Sequence, residues 1–152
     1  MKSILFVCTG NMCRSPFAEH LFRTLAPDGV EICSAGLTAL PGGKVPALPI
    51  TAARRFGVDL SAHSTRSLDE VIVQRASEVY VFERFHRENL EALFPDAAVK
   101  VRLLGSLIGA LDAEIADPLG AKLEDIARCY ETIHRACVEL RRRIPQSKPL
   151  IP

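Results

Sequence analysis

The sequence has no surplus of charge of either sign: 19 Lys and Arg stand against 18 Asp and Glu, a net charge near +1 over 152 residues. That balance gives no chain-wide field for drawing in nucleic acid or an anionic membrane surface, so neither is an expected partner and any anion recognition has to be local. Long apolar runs are missing as well. Residues 103–111 are far too few to span a bilayer, and Asp112 ends the run. The apolar residues 3–7 lead into Cys8-Thr9-Gly10 rather than a small-residue cleavage site, so the expected location is the cytoplasm. There is no paired cysteine framework: the thiols at 8, 13, 33, 129 and 137 are odd in number and, in a reducing compartment, stay free. Cys129 and Cys137 would sit about 12 Å apart on one helix at 1.5 Å per residue, beyond the roughly 7 Å reach of a disulfide. They read as small apolar packing residues. Repeats, low-complexity tracts and linkers are also absent.

With 48% apolar residues, the chain can bury one core, and the expectation is a single domain over 1–152. Strand-like runs at 3–7, 30–34, 79–82 and 99–103 alternate with helical periods at 17–25, 50–56, 86–94 and 122–144. Ser15 suits an N-cap and Pro16 the first helical position, while residues 37–49, with three prolines and Gly42-Gly43, read as a loop. Arg141, Arg142 and Arg143 complement the last helix's dipole, and Tyr80 and Tyr130 read as core. Alternating elements predict an α/β fold, a four-stranded parallel open sheet with helices on both faces in three layers. Ligands in such sheets bind beyond the carboxyl ends of the strands, so the loop after the first strand is the first candidate site.

That loop reads Cys8-Thr9-Gly10-Asn11-Met12-Cys13-Arg14-Ser15, wedged between a strand and a helix N-terminus. Successive N–H groups in such a turn, aided by the helix dipole, can seat a phosphate group. Arg14 adds a planar, permanently charged fork to the same anion. Whatever favours phosphate there also favours a thiolate at Cys8. An anionic sulfur beneath a phosphate points to in-line attack and a covalent cysteinyl-phosphate, chemistry that requires no metal or other cofactor. The leaving group needs a proton, and Asp117, between Ala116 and Pro118-Leu119-Gly120, is the expected acid; burial beside the site would favour its protonated form.

Residues 7–16, Ser34-Ala35-Gly36 after the second strand, and Asp117-Pro118 before the last helix resemble the low-molecular-weight protein-tyrosine-phosphatase family over essentially the whole chain. The resemblance implies hydrolysis of phosphotyrosine on proteins, with Cys8 as nucleophile, Arg14 as phosphate binder and Asp117 as acid and then base. It implies a phosphate-binding loop of Thr9, Gly10, Asn11, Met12, Cys13 and Ser15, in which Asn11 holds the loop conformation and Ser15 stabilises the thiolate. Ser34 and His63 would brace Asn11, and Met12, Leu40 and Leu119 would wall the substrate pocket. By analogy, a bacterial tyrosine kinase is a candidate substrate.

Two features bear on substrate choice. Many members sandwich the phosphotyrosine ring between aromatic residues, yet residues 37–44 contain none and Leu119 follows Pro118. Met12 stands where tyrosine-directed members commonly carry an apolar residue and arginine-phosphatase relatives carry threonine; a protein-arginine phosphatase is the alternative. A thiol-redox arsenate reductase, which shares the Cys-x5-Arg loop, would need further cysteines near 82–92, where there are none. A non-catalytic phosphate-binding module would have no use for nucleophile, clamp and acid together. Zinc on Cys8 and Cys13 lacks a second ligand pair, Gly42-Gly43-Lys44 lacks the strand context of a nucleotide loop, and His20, His86 and His134 read as surface or core residues. The resemblance also offers Cys13 as a redox partner for Cys8, against its reading as a small thiol facing the core. If Cys13 guards the nucleophile, peroxide treatment should leave a thiol-reversible Cys8–Cys13 disulfide in a non-reduced digest; sulfinic acid on Cys8 is the opposite result.

Overall fold

The computed structural model describes residues 2–109 and 113–146. Four strands, β1 (Ser3–Cys8), β2 (Glu31–Gly36), β3 (Glu78–Val81) and β4 (Val101–Leu103), pair in the order β2-β1-β3-β4, and every pairing is parallel. The helices are α1 (Arg14–Leu25), α2 (Ala47–Arg54), α3 (Glu70–Arg75), α4 (Arg84–Leu93) and α5 (Leu123–Arg143).

All six residues of β1 are buried, which is why that strand is apolar without alternation. Its successive side chains enter different cores. Ile4, Phe6 and Cys8 join Phe17, Phe22, Tyr130 and Leu140 on one side, with residues of α1, α2 and α5. Leu5 and Val7 join Val73 and Leu90 on the other, with residues of α3 and α4. The expected sheet with helices on both faces is therefore present. Tyr80 and Tyr130 are buried as expected, and Phe17 stacks on Tyr130 at 3.9 Å between ring centroids.

Several boundaries differ from the sequence expectation. Ser15 is not the N-cap of α1: Cys13 holds that place without a side-chain bond, and Pro16 is the third helical residue. The Ser15 hydroxyl is engaged by groups of the preceding loop, which outcompete a capping role. Helix α2 starts at Ala47, three residues before the expected start, since Pro49 falls within its first turn, where no N–H is needed. Helix α3 is too short to show a period; Asp69 caps it by accepting from Ile72 N at 2.8 Å. Residues Pro95–Lys100 form a 3-10 helix, shortening the expected strand at 99–103, and a second such turn covers Leu104–Ile108. The end of the apolar run at 110–111 and Asp112 lie outside the described residues. No helix among the described residues is long and apolar enough to cross a membrane.

The sheet order places β1 between β2 and β3. Chain connections leave these neighbours in opposite directions, opening a crevice beyond their carboxyl ends. Residues 9–13 after β1 and 82–83 after β3 border that crevice. The Phe17–Tyr130 stack fastens α1 beneath it to α5, so Phe17→Ala should cost about 3–5 kcal/mol, measurable as a lowered urea midpoint with an unchanged slope.

Candidate active site

Asn11 organises the loop between β1 and α1. Its backbone is left-handed, with φ 54°, a conformation that asparagine tolerates better than most residues. All four hydrogen-bonding positions of its side chain are used. The backbone N–H of Arg66 donates to Oδ1 at 2.9 Å, and because that group can only donate, the amide orientation follows. His63 Nε2 donates to the same oxygen at 3.0 Å. Asn11 Nδ2 donates to Ser34 Oγ and to Ser15 Oγ, both at 2.8 Å. Ser15 Oγ, already accepting, has its own hydrogen left for Cys8 Sγ, 2.9 Å away. Hydrogen bonds thus run in one direction from His63 through Asn11 and Ser15 to the sulfur.

Gly36 explains how closely the second strand can approach. A Cβ there would lie 2.8 Å from both Asn11 N and Thr9 O, so only glycine lets the end of β2 meet the loop. Leu37 N and Thr38 N donate to Cys8 O and Thr9 O. The N–H groups of residues 10–13 have no backbone acceptor among the described residues, which suits a turn that receives an anion.

Arg14 is 1% exposed. Its Nη1 donates to Glu83 Oε2 and to Ile115 O, each at 2.8 Å, and the guanidinium lies 5.6 Å from the centre of the Phe82 ring. Those bonds fix the plane of the fork and leave the donors on Nε and Nη2 for an anion in the cavity that Arg14 lines. Ile115 N also donates to Phe82 O at 2.8 Å, tying the segment that carries Asp117 to the end of β3. Asp117 Oδ1 accepts from Leu119 N at 2.9 Å, and Oδ2 lies 3.7 Å from Arg14 Nη2. The expected burial of Asp117 is not found: its side chain is 43% accessible, because the segment crosses the rim of the crevice instead of entering it.

Cys8, Gly10, Met12, Cys13, Arg14, Asp117 and Leu119 line a small cavity of about 20 Å³. Leu40 is not among the lining residues; its side chain points to solvent at 82% exposure. Thr9 likewise turns away from the cavity, toward His86. His86 Nδ1 accepts from Glu83 N at 3.0 Å, so its proton sits on Nε2, which donates to Thr9 Oγ1 at 3.0 Å. Burial, with the Arg14 charge nearby, pushes the His86 pKa down to about 4 and keeps the ring neutral. Cys13 is a buried thiol against the Tyr130 hydroxyl, and burial pushes its pKa up to about 12. Tyr130 itself donates to Cys13 O at 2.9 Å.

Glu83 and His86 carry no functional motif in the sequence, where His86 reads as a surface or core residue; it is buried. Each is a charged or polar residue on an ordinary amphipathic helix or just before it, and only the pairing of β3 beside β1 brings them to the loop. A clue was available in their position immediately after an apolar strand.

The combination of a doubly wound parallel sheet, a thiol above an anion-seating loop and a buried arginine defines a class of cysteine-centred phosphate-handling enzymes. The chain belongs to the low molecular weight phosphotyrosine protein phosphatase family, whose sequence pattern matches residues 3–149. It is 32% identical over 143 residues to the low molecular weight protein-tyrosine-phosphatase Etp of Escherichia coli, covering 94% of this chain and 95% of that one. The tyrosine phosphatase Wzb of Escherichia coli K30, solved in complex with sulphate, superimposes with a TM-score of 0.88 at 30% identity, covering 93% of this chain and 97% of Wzb. The YwlE arginine phosphatase of Geobacillus stearothermophilus also gives a TM-score of 0.88, at 29% identity over 94% of this chain and 92% of that one.

Removing the Asn11 side chain would leave His63, Ser34, Ser15 and Arg66 N without their partner and place alanine at a positive φ. Asn11→Ala should lower kcat for p-nitrophenyl phosphate by about tenfold to a hundredfold, the scale of losing an orienting partner of a reacting group, while circular dichroism shows a retained fold.

Proposed function

We propose that this chain is a cysteine-dependent protein phosphatase that hydrolyses phosphotyrosine without a metal ion, with Cys8 as nucleophile, Arg14 as phosphate clamp and Asp117 as general acid. The observation that carries the proposal is the meeting of Cys8, Arg14 and Asp117 in one cavity, with a Ser15 hydroxyl 2.9 Å from the sulfur. The phosphate sits on the N–H groups of residues 10–13 and on the free donors of Arg14. As a dianion it takes over the guanidinium, whose Nη2 otherwise faces Asp117 Oδ2 at 3.7 Å.

Cys8 Sγ attacks phosphorus as the bond to the leaving oxygen breaks, and Asp117 gives that oxygen its proton. The products of this step are a cysteinyl-phosphate and a free hydroxyl on the substrate. Asp117, now a carboxylate, takes a proton from water as the water oxygen attacks phosphorus. Inorganic phosphate leaves, and the Ser15 hydroxyl stabilises the returning thiolate. The thiol chemistry needs reducing surroundings, which supports a cytoplasmic location.

Met12 and Leu119 offer an apolar wall to a substrate ring, and tyrosine-directed relatives support phosphotyrosine. A bacterial tyrosine kinase fits as a substrate by that analogy. The second reading is phosphoarginine, favoured by the absence of an aromatic residue in the cavity lining and by the likeness to the arginine phosphatase.

Initial rates on p-nitrophenyl phosphate, a phosphotyrosine peptide and a phosphoarginine peptide test both readings. Cys8→Ser should abolish turnover, and Asp117→Asn should lower it by about 10²–10⁴-fold. A higher kcat/KM for the phosphoarginine peptide would reverse the substrate assignment. No turnover by the reduced native protein would remove the enzymatic reading.

A further inference from the structure

Beyond the phosphate loop, three donor atoms converge that phosphate chemistry does not use. Glu19 and His20 are neighbours on α1, and His63 comes from the segment between α2 and α3. His20 Nε2 lies 3.0 Å from Glu19 Oε2 and 3.0 Å from His63 Nδ1, and His63 Nδ1 lies 3.6 Å from the same carboxylate oxygen. Bonds of about 2.0–2.1 Å in tetrahedral geometry separate neighbouring donor atoms by about 3.3 Å. The observed triangle brackets that spacing.

The surrounding hydrogen bonds decide which atoms carry lone pairs. His63 gives its Nε2 hydrogen to Asn11 Oδ1, so the neutral ring presents an unprotonated Nδ1 to the cluster. Arg23 Nη2 binds Glu19 Oε1 at 3.4 Å, leaving Oε2 directed at the two rings. The proton on His20 Nε2 alone fills the space between three acceptors. Moving it to Nδ1 through solvent leaves three acceptor atoms within 3.6 Å of one another, with no net change in protonation.

We propose that Glu19, His20 and His63 form a binding site for a divalent transition-metal ion of the zinc type, distinct from the Cys8 centre. Two imidazole nitrogens and one carboxylate suit zinc and its neighbours better than magnesium or calcium. Asn11 and Arg23 act as the outer partners that orient the ligands. Glu19 and His63 are 9% and 6% accessible at their side chains, whereas His20 is 25% accessible. That opening supplies an entry path and a position for water as a fourth ligand. His63 also holds Asn11, so an ion here tightens the chain of bonds that ends at the Cys8 sulfur.

The proposal rests on the donor atoms alone and stands apart from the phosphatase reading. Its test uses Cys8→Ser protein, which removes the reactive thiol as a competing ligand. Titration with Co²⁺ should produce visible ligand-field bands of a four- or five-coordinate ion, and Zn²⁺ should raise the thermal midpoint in a concentration-dependent way. His20→Ala, and His20→Gln as a variant that keeps a hydrogen-bond donor, should each weaken both responses at least tenfold. In the Cys8 background, the same two variants should keep metal-free turnover of p-nitrophenyl phosphate. Unchanged titrations in the His20 variants, a near-ultraviolet thiolate-to-cobalt band, or no response at about millimolar metal would each overturn the site.

Discussion

The structure depends on one side chain whose hydrogen-bonding capacity is fully spent. Asn11 occupies a left-handed backbone position that costs most residues about 1–2 kcal/mol, and its two donors and two acceptor positions tie together α1, β2 and the segment around residues 63–66. A buried amide is stable only when so satisfied. The same bonds that remove the penalty also set the direction of the Ser15 hydroxyl and hence the hydrogen offered to Cys8. Folding and the hydrogen bond at the Cys8 sulfur draw on a single network.

Arg14 presents the complementary problem, a buried permanent charge. Glu83 at 2.8 Å supplies the counter-charge, and the Ile115 carbonyl supplies a second acceptor. Leaving such a charge without its partner would be strongly unfavourable, so the ends of β1 and β3 and the Asp117 segment are held in register. These bonds hold the guanidinium at the cavity that Arg14 lines, and dipoles held in place stabilise charge most effectively because they need no reorganisation.

The fold was largely legible. Strand β1 and helix α5 carry long or continuous apolar signals, and their two cores follow from a period of two and a period of 3.6. The errors cluster where local preference met a stronger partner. Ser15 has the chemistry of a cap, yet Asn11 and Cys8 claim its oxygen. Pro49 reads as a loop residue, although the first turn of α2 accepts it. Leu40 lies within reach of the loop in sequence terms but faces solvent, and Asp117 sits at the rim instead of under cover.

The sequence by itself determined the alternation of four strands with the four longer helices and the Cys8-x5-Arg14 loop between the first strand and the first helix, because spacing and local conformation are encoded over a few residues. Only the tertiary structure decided that Glu83 neutralises Arg14, that His86 holds Thr9, and that His63 reaches the Glu19–His20 pair. Those contacts join positions 43–77 residues apart. They depend on which strands lie side by side and on how hydrogen-bond donors are shared once water has been excluded, and no local pattern in the chain carries that information.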